Sequence, residues 1–357
     1  MGEILNSRER IRLALELKIP DRVPLVEYSY WPSTIERWHA EGLPEDADPV
    51  KYLGMDSFLF VSYDDCLGLE MRTLCETGEK VARVDSDGAT FVYWKNSYAP
   101  PQPLDFLIKT EEDWYHYKHC LIPGEDRLGK DFVKNYKKLR ETDGFICLSQ
   151  REPCWKVLAA MMGLEKGLLY MFRNPQLVYD MMETYADLLL GMYDIIAGKG
   201  VEIDGVYLRG DLAYKKGMLF SPELYDRLLY PHHKRITNFF RSKGIPVIHH
   251  IDGDVRQYIP LIIKSGFNAI EPLESRANND VRELKERWGT KIAFMGNISV
   301  EALSGTKLQI EEEIRSKVVK AKEGGGYIFT TDGSVPPIIS WSNYCYAVKI
   351  AKEVGQY

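Results

Sequence analysis

The sequence predicts an α/β protein built as a single (β/α)8 TIM barrel, and three observations carry that expectation. Short apolar runs alternate with longer amphipathic ones along most of the chain, the pattern of parallel strands joined by crossover helices. Eight such runs can be counted in 357 residues, enough to close a barrel of ordinary size. No Gly-x-Gly-x-x-Gly turn follows any of them, which weighs against a doubly wound open sheet as the competing architecture.

RVPLVE (22–27) and SFLFVS (57–62) are the first two strand candidates. Their continuous rather than alternating hydrophobicity suits strands buried on both faces. The interval 64–144 breaks the rhythm. It reads as a β-hairpin with Asp87-Gly88 at its turn, then a Pro-rich loop, forming an excursion after strand two inside one domain that spans 1–357. FICLS (145–149) resumes the barrel, followed by a long helix with Asn174 as cap and Pro175 in its first turn. DGVYL (204–208) precedes a helix capped by Ser221, in which Pro231 predicts a kink. PVIHH (246–250), NAIEP (268–272) and KIAFM (291–295) are the next strands. KLQIEEEIRSKVVKAKEGGG, with acids early and lysines late as the helix dipole prefers, leads to the last, YIFTT (327–331).

Composition narrows the class. Hydrophobic residues at 45% and charged residues at 27% describe an ordinary globular protein. A net charge of −6 with no basic cluster argues against nucleic-acid binding. No apolar run reaches the ~20 residues that cross a bilayer. The N-terminal stretch through Arg22 is too charged for a signal peptide, and Asn6 stands where a myristoylation motif needs Ser or Thr. Six scattered cysteines without a Cys-x-x-Cys pair suit free thiols in a reducing compartment, so the expected location is cytoplasmic.

Barrel enzymes carry their chemistry at the C-terminal ends of the strands. Here those positions hold Glu27, Tyr28, Asp64, Arg151, Glu152, Arg209, Asp211, His250, Asp252, Glu271, Glu274, Asn297 and Asp332. Such a cleft either holds a divalent metal or shares protons among acids of raised pKa. His250-x-Asp252 is the sharpest element, since imidazole plus carboxylate two residues apart suits zinc or another first-row ion. The bland alternative has Asp252 capping a helix that begins near Val255. His249 should point the opposite way. Glu271 and Glu274 offer a further ligand, a general acid or base, or partners for Arg276 and Arg282. Asp211 either orients a substrate or caps a turn. Tyr28, Trp31, Asp64, Arg209 and Asn297 are assigned to substrate binding. Cys154, with no histidine near it in sequence, reads as a buried thiol.

RERIRLALELKIPDRVPL, LFSPELYDRLLYPHHKRI and FMGNISVEAL together resemble the uroporphyrinogen decarboxylase superfamily over nearly the whole chain. The resemblance implies a (β/α)8 barrel and offers two chemistries. The decarboxylases carry a Met-Arg-Gln-Ala-Gly-Arg-like segment whose arginines hold tetrapyrrole carboxylates; VEYSYWPSTIERW stands in that place without paired arginines. The cobalamin-dependent methyltransferases bind zinc through His-x-Cys-Gly and a later Cys. HIDG (250–253) is similar, with Asp252 in the cysteine's place and Asp332 near the second. This branch implies methyl transfer from an O- or N-methyl donor to a small corrinoid-binding protein. Its metal, zinc first among the choices, would be held by His250, Asp252 and Asp332, with Glu271, Glu274 and Asp211 as catalytic groups. A homodimer is an allowed assembly. Decarboxylation of uroporphyrinogen and a non-catalytic corrinoid- or porphyrin-binding barrel are the alternatives; the last predicts dispensable rim acids.

Overall fold

Apolar runs that can hide on both faces assemble into a curled parallel sheet, and the computed structural model describes it over residues 5–95 and 100–357. The Met1-Gly2 start considered for lipidation lies outside those residues. Strands follow in the order β1 (Phe58–Val61), β2 (Arg72–Glu76), β3 (Lys80–Val84), β4 (Thr90–Trp94), β5 (Gln102–Asp105), β6 (Phe145–Arg151) and β7 (Gly205–Arg209). The remainder are β8 (Ala213–Tyr214), β9 (Gly217–Met218), β10 (Val247–Ile251), β11 (Ala269–Pro272), β12 (Ala293–Met295) and β13 (Tyr327–Ile328). A seven-stranded parallel sheet runs β1-β6-β7-β10-β11-β12-β13.

The segment 22–27, expected as the first regular strand, is instead held by single contacts on its two sides. Leu25 bridges Phe329 in parallel, with Val26 N donating to Phe329 O at 2.9 Å, and Asp56 N donates to Leu25 O at 2.7 Å. Pro24 has no N–H to give, which limits the ladder. The expected hairpin is also larger than predicted. β2 to β5 form a four-stranded antiparallel sheet, with the Asp87-Gly88 turn between β3 and β4 and the Pro-rich segment supplying β5. Pro103 sits in β5, which pairs on one side only, where a missing donor costs least.

The helices largely follow their caps. Asn174 accepts from Leu177 N at 3.1 Å at the start of the 24-residue helix Pro175–Gly198. Pro231 does more than kink: the chain breaks into Pro222–Leu228 and Tyr230–Ser242. A small core inside the curl takes Val26, Phe58, Phe145, Cys147, Tyr207, Ile248, Ala269, Ala293, Met295 and Ile328, so segment 22–27 and all seven strands contribute. Ile11, Ala14 and Leu15 of the helix Ser7–Leu15 plug its bottom. The larger core lies between sheet and helices. The floor is therefore apolar and filled, and polar side chains gather at the opposite, C-terminal end. Among the described residues no helix is long and apolar enough to cross a membrane.

Candidate active site at the strand C-termini

Register builds the site. β10 pairs with β7 and β11 so that His250 stands level with Arg209 on one side and Glu271 on the other. Alternation along β10 turns Ile248 and His250 into the curl and His249 away from it. Tyr207 of β7 and Tyr28, two residues past Val26, point into the same space.

His250 Nδ1 lies 2.5 Å from Glu271 Oε2 and 2.9 Å from the Tyr207 hydroxyl. Tyr207 also donates to Glu271 Oε2 at 2.6 Å, and the Tyr28 hydroxyl donates to Glu271 Oε1. The opposite nitrogen, Nε2, lies 3.8 Å from both Asp211 Oδ1 and Asp252 Oδ1. One donor atom from each of Asp211, His250 and Asp252 falls within 4.8 Å of the other two, a spacing one cation can span. Lys156 Nζ is 2.8 Å from Asp211 and balances its charge.

The electrostatics follow from this crowding. Burial opposes a charged imidazole at His250, but the Glu271 carboxylate outweighs it, helped by Asp252 and Asp211, and lifts its pKa to about 9. Burial, with repulsion from Asp211 and the two glutamates, pushes Asp252 up to about 6 despite His250. Burial likewise holds Asp211 up, but Lys156 overrides it and the pKa falls. Glu27, buried under Thr330 and Thr331, is pushed up to about 7 by desolvation.

Two neighbouring cavities open here. The inner one, about 190 Å³, is lined by Glu27, Tyr28, His250, Glu271 and Thr331. The outer one, about 570 Å³, has Trp31, Val300, Pro336 and Ile338 as apolar wall and Glu274, Arg276, Glu301 and Asp332 as charged groups. Asp252, Gly333 and Ser334 border both.

Several residues singled out in the sequence lie outside the His250 cluster, though Asp332 and Glu274 line the outer cavity. Asp332 is not in the His250 cluster: its carboxylate accepts from Ser275 Oγ at 2.5 Å and Val300 N at 3.0 Å, fixing a turn and a helix start. Asn297 is buried with its amide spent on Leu273 O, Asn279 O and Val281 N. Asp64 caps a local turn at Cys66 N and borders neither cavity. Arg209 is exposed at the end of β7. Glu274 neither meets His250 nor pairs with Arg276, which faces Glu301; it accepts from Gly253 N at 3.1 Å and steadies the turn after Asp252. Gly253 itself has φ +92°, and a Cβ there would lie 2.8 Å from the backbone of Ala213 and Tyr214. Asp252 caps no helix, since the next one begins at Ile259. Sequence reasoning passed over Tyr207, whose inward parity within GVYLR is the signal that points to it, and placed Glu27 at the rim without giving it a role.

A curled parallel sheet with a histidine–carboxylate cluster at its C-terminal end defines a barrel-type α/β protein with an enzyme-like mouth. The chain belongs to the uroporphyrinogen decarboxylase family: the family model described as Uroporphyrinogen decarboxylase (URO-D) matches residues 142–354. A curated uroporphyrinogen decarboxylase of Syntrophotalea carbinolica is 26% identical over 270 residues, covering 72% of this chain and 74% of the relative. One of Carboxydothermus hydrogenoformans is 25% identical over 135 residues, covering 38% and 37%. Among solved structures, a methyltransferase from Methanosarcina mazei superposes with a TM-score of 0.65 at 15% identity, covering 98% of this chain and 99% of the other, a likeness of fold.

Proposed function

We propose that the protein is a methyltransferase that moves a methyl group from an O- or N-methyl donor to a corrinoid carried by a small partner protein. The observation that carries this reading is the two-sided commitment of His250. Nδ1 is bound to Glu271 and Tyr207, and Nε2 is left facing two carboxylates at 3.8 Å. A histidine fixed through one nitrogen by a carboxylate, with the other aimed at further ligands, is how metal-binding histidines are usually held. The donor set therefore fits a divalent ion, and His250, Asp211 and Asp252 would hold it. When bound, such an ion supplies a Lewis acid for the heteroatom that loses its methyl group.

The chain's own residues supply the rest. The hydrogen-bonded run of His250 Nδ1, Glu271, Tyr207 and Tyr28 holds a proton beneath the inner cavity and offers it to a departing oxygen or nitrogen. Glu271 lines that cavity whereas Glu274 lines the outer one, so Glu271 is the stronger candidate for proton delivery. Trp31, Val300, Pro336 and Ile338 provide an apolar wall for the body of the donor.

The names of the curated relatives favour a second reading, decarboxylation of uroporphyrinogen. A polycarboxylate would meet Asp252, Glu271 and Glu274 at this mouth with Arg276 as the cation among the outer lining, and Arg276 already faces Glu301 at 3.4 Å. One experiment separates the two. Incubated with cob(I)alamin and either a phenyl methyl ether or a methylated amine, the protein forms methylcobalamin; given uroporphyrinogen, it yields no coproporphyrinogen. Saturable decarboxylation without methyl transfer would replace the first reading with the second.

A further inference from the structure

On the other face of β10, behind the mouth, a second group of donors meets in the layer between sheet and helices. Glu152 follows β6 directly, Cys154 stands two residues on, and His233 comes from the helix Tyr230–Ser242. A carboxylate oxygen, a sulfur and an imidazole nitrogen from these three lie within 4.8 Å of one another, and all three residues are 0% exposed. His233 Nε2 is 2.5 Å from Glu152 Oε1, and the Cys154 thiol hydrogen-bonds the same carboxylate. His233 Nδ1 lies 2.8 Å from the Tyr225 hydroxyl, itself 2.8 Å from Ser265 Oγ.

Two buried polar groups beside this cluster have no hydrogen-bond partner among the described residues. His249 is fully buried with neither ring nitrogen bonded, and its ring centre is 5.5 Å from that of His233. The Tyr258 hydroxyl is likewise unpaired, its ring 5.9 Å from Tyr225. Buried polar atoms are rarely left this way, and orphans gathered around one point suggest a missing ligand.

We propose that Glu152, Cys154 and His233 form a second, buried site for a divalent ion of the zinc class, with His249 as the adjacent fourth donor. Sulfur, nitrogen and oxygen donors together suit zinc. One thiolate, one carboxylate and neutral imidazole cancel a double positive charge, so the loaded site is neutral where an uncompensated charge is costly. Metal binding requires His233 Nε2 to give up the proton it turns toward Glu152, and the Tyr225 hydroxyl can then accept from Nδ1–H and orient the ring. The thiol gives up its proton on loading, and a site this enclosed fills as the chain folds. Its role is bracing. Glu152 also accepts from the backbone N–H of Cys154 and Lys156, both at 2.9 Å, and Lys156 Nζ holds Asp211 of the mouth.

The site stands independently of the methyl-transfer reading, because the mouth cluster of Asp211, His250 and Asp252 contains no sulfur. Protein expressed in cobalt-supplemented medium tests it. The wild type is expected to show a near-ultraviolet thiolate-to-cobalt band that disappears, with one equivalent of metal, in Cys154→Ser and persists in His250→Ala. Cobalt-free protein, cobalt-loaded protein without the band, or a band surviving in Cys154→Ser overturns the proposal. Should Cys154→Ser fail to fold, zinc-edge X-ray absorption of the wild type decides. A sulfur neighbour at about 2.3 Å is expected, and a shell of nitrogen and oxygen only, or no zinc, overturns it.

Discussion

His250 takes its character from different neighbours on its two nitrogens, and the consequence can be tested one atom at a time. Glu271→Gln keeps the shape but removes the charge that faces Nδ1, and with it the proton reservoir. Turnover at saturating metal is expected to fall by roughly 10²–10⁴, the usual worth of a general acid, with far smaller change in donor KM. Wild-type turnover would remove Glu271 from the proton path. Glu27 gives a prediction about stability. Its pKa is about 7 in the folded chain against 4.5 when unperturbed. Below pH 4.5 both states carry the proton; between 4.5 and 7 only the folded state keeps it, so stability falls as pH rises and levels off above 7. Relative to wild type, Glu27→Gln should therefore gain about 3 kcal/mol between pH 4 and pH 8, read from denaturant midpoints. A pH-independent difference would mean that Glu27 ionises freely. His250 and Asp252 were legible in the sequence because they are chain neighbours at a strand exit. Asp211 was legible as a position just past a strand end, whereas which residues Tyr207 faces depends on the β7–β10 register, which sets it level with Ile248. Asp332 and Asn297 show a related limit, since helix starts and turns need the same carboxylates and amides as active sites do: both hold local structure, and Asp332 also lines the outer cavity.

Between elements, one buried carboxylate clamps the bottom of the fold. Asp56 meets Arg10 at 2.5 Å and Arg22 at 2.6 Å and accepts from Leu25 N at 2.8 Å, tying the helix Ser7–Leu15 and segment 22–27 to the start of β1. Asp56→Asn removes the carboxylate from Arg22 and from one side of Arg10, which keeps Asp21 at 2.6 Å, and is expected to cost about 1.5–3 kcal/mol, the worth of hydrogen bonds to a charged group, measured by urea denaturation. A cost below about 1 kcal/mol, the worth of an exposed pair, would show that this clamp is dispensable. The strands of the parallel sheet were readable because burial on both faces leaves an unbroken apolar run. Segment 22–27 was read as a full strand on the same ground, but hydrophobicity does not report how many ladder bonds form around Pro24. The antiparallel excursion was under-read because β2 is exposed along its whole length and offers no apolar signal.

For the whole molecule, the acidic mouth and the apolar outer wall make one arrangement. Acids crowd around His250 at the inner cavity, and Trp31, Val300, Pro336 and Ile338 line the apolar wall of the outer one. The most direct measurement is single-turnover methylation of cob(I)alamin by a phenyl methyl ether or a methylated amine, followed in a stopped-flow instrument by loss of the Co(I) absorbance. Wild-type protein should consume Co(I) in one phase, and His250→Ala should be slower by at least about 100-fold, the several kcal/mol that a bound Lewis acid is worth. Equal rates for the two proteins, or Co(I) left untouched by the wild type with both donors, would contradict the account.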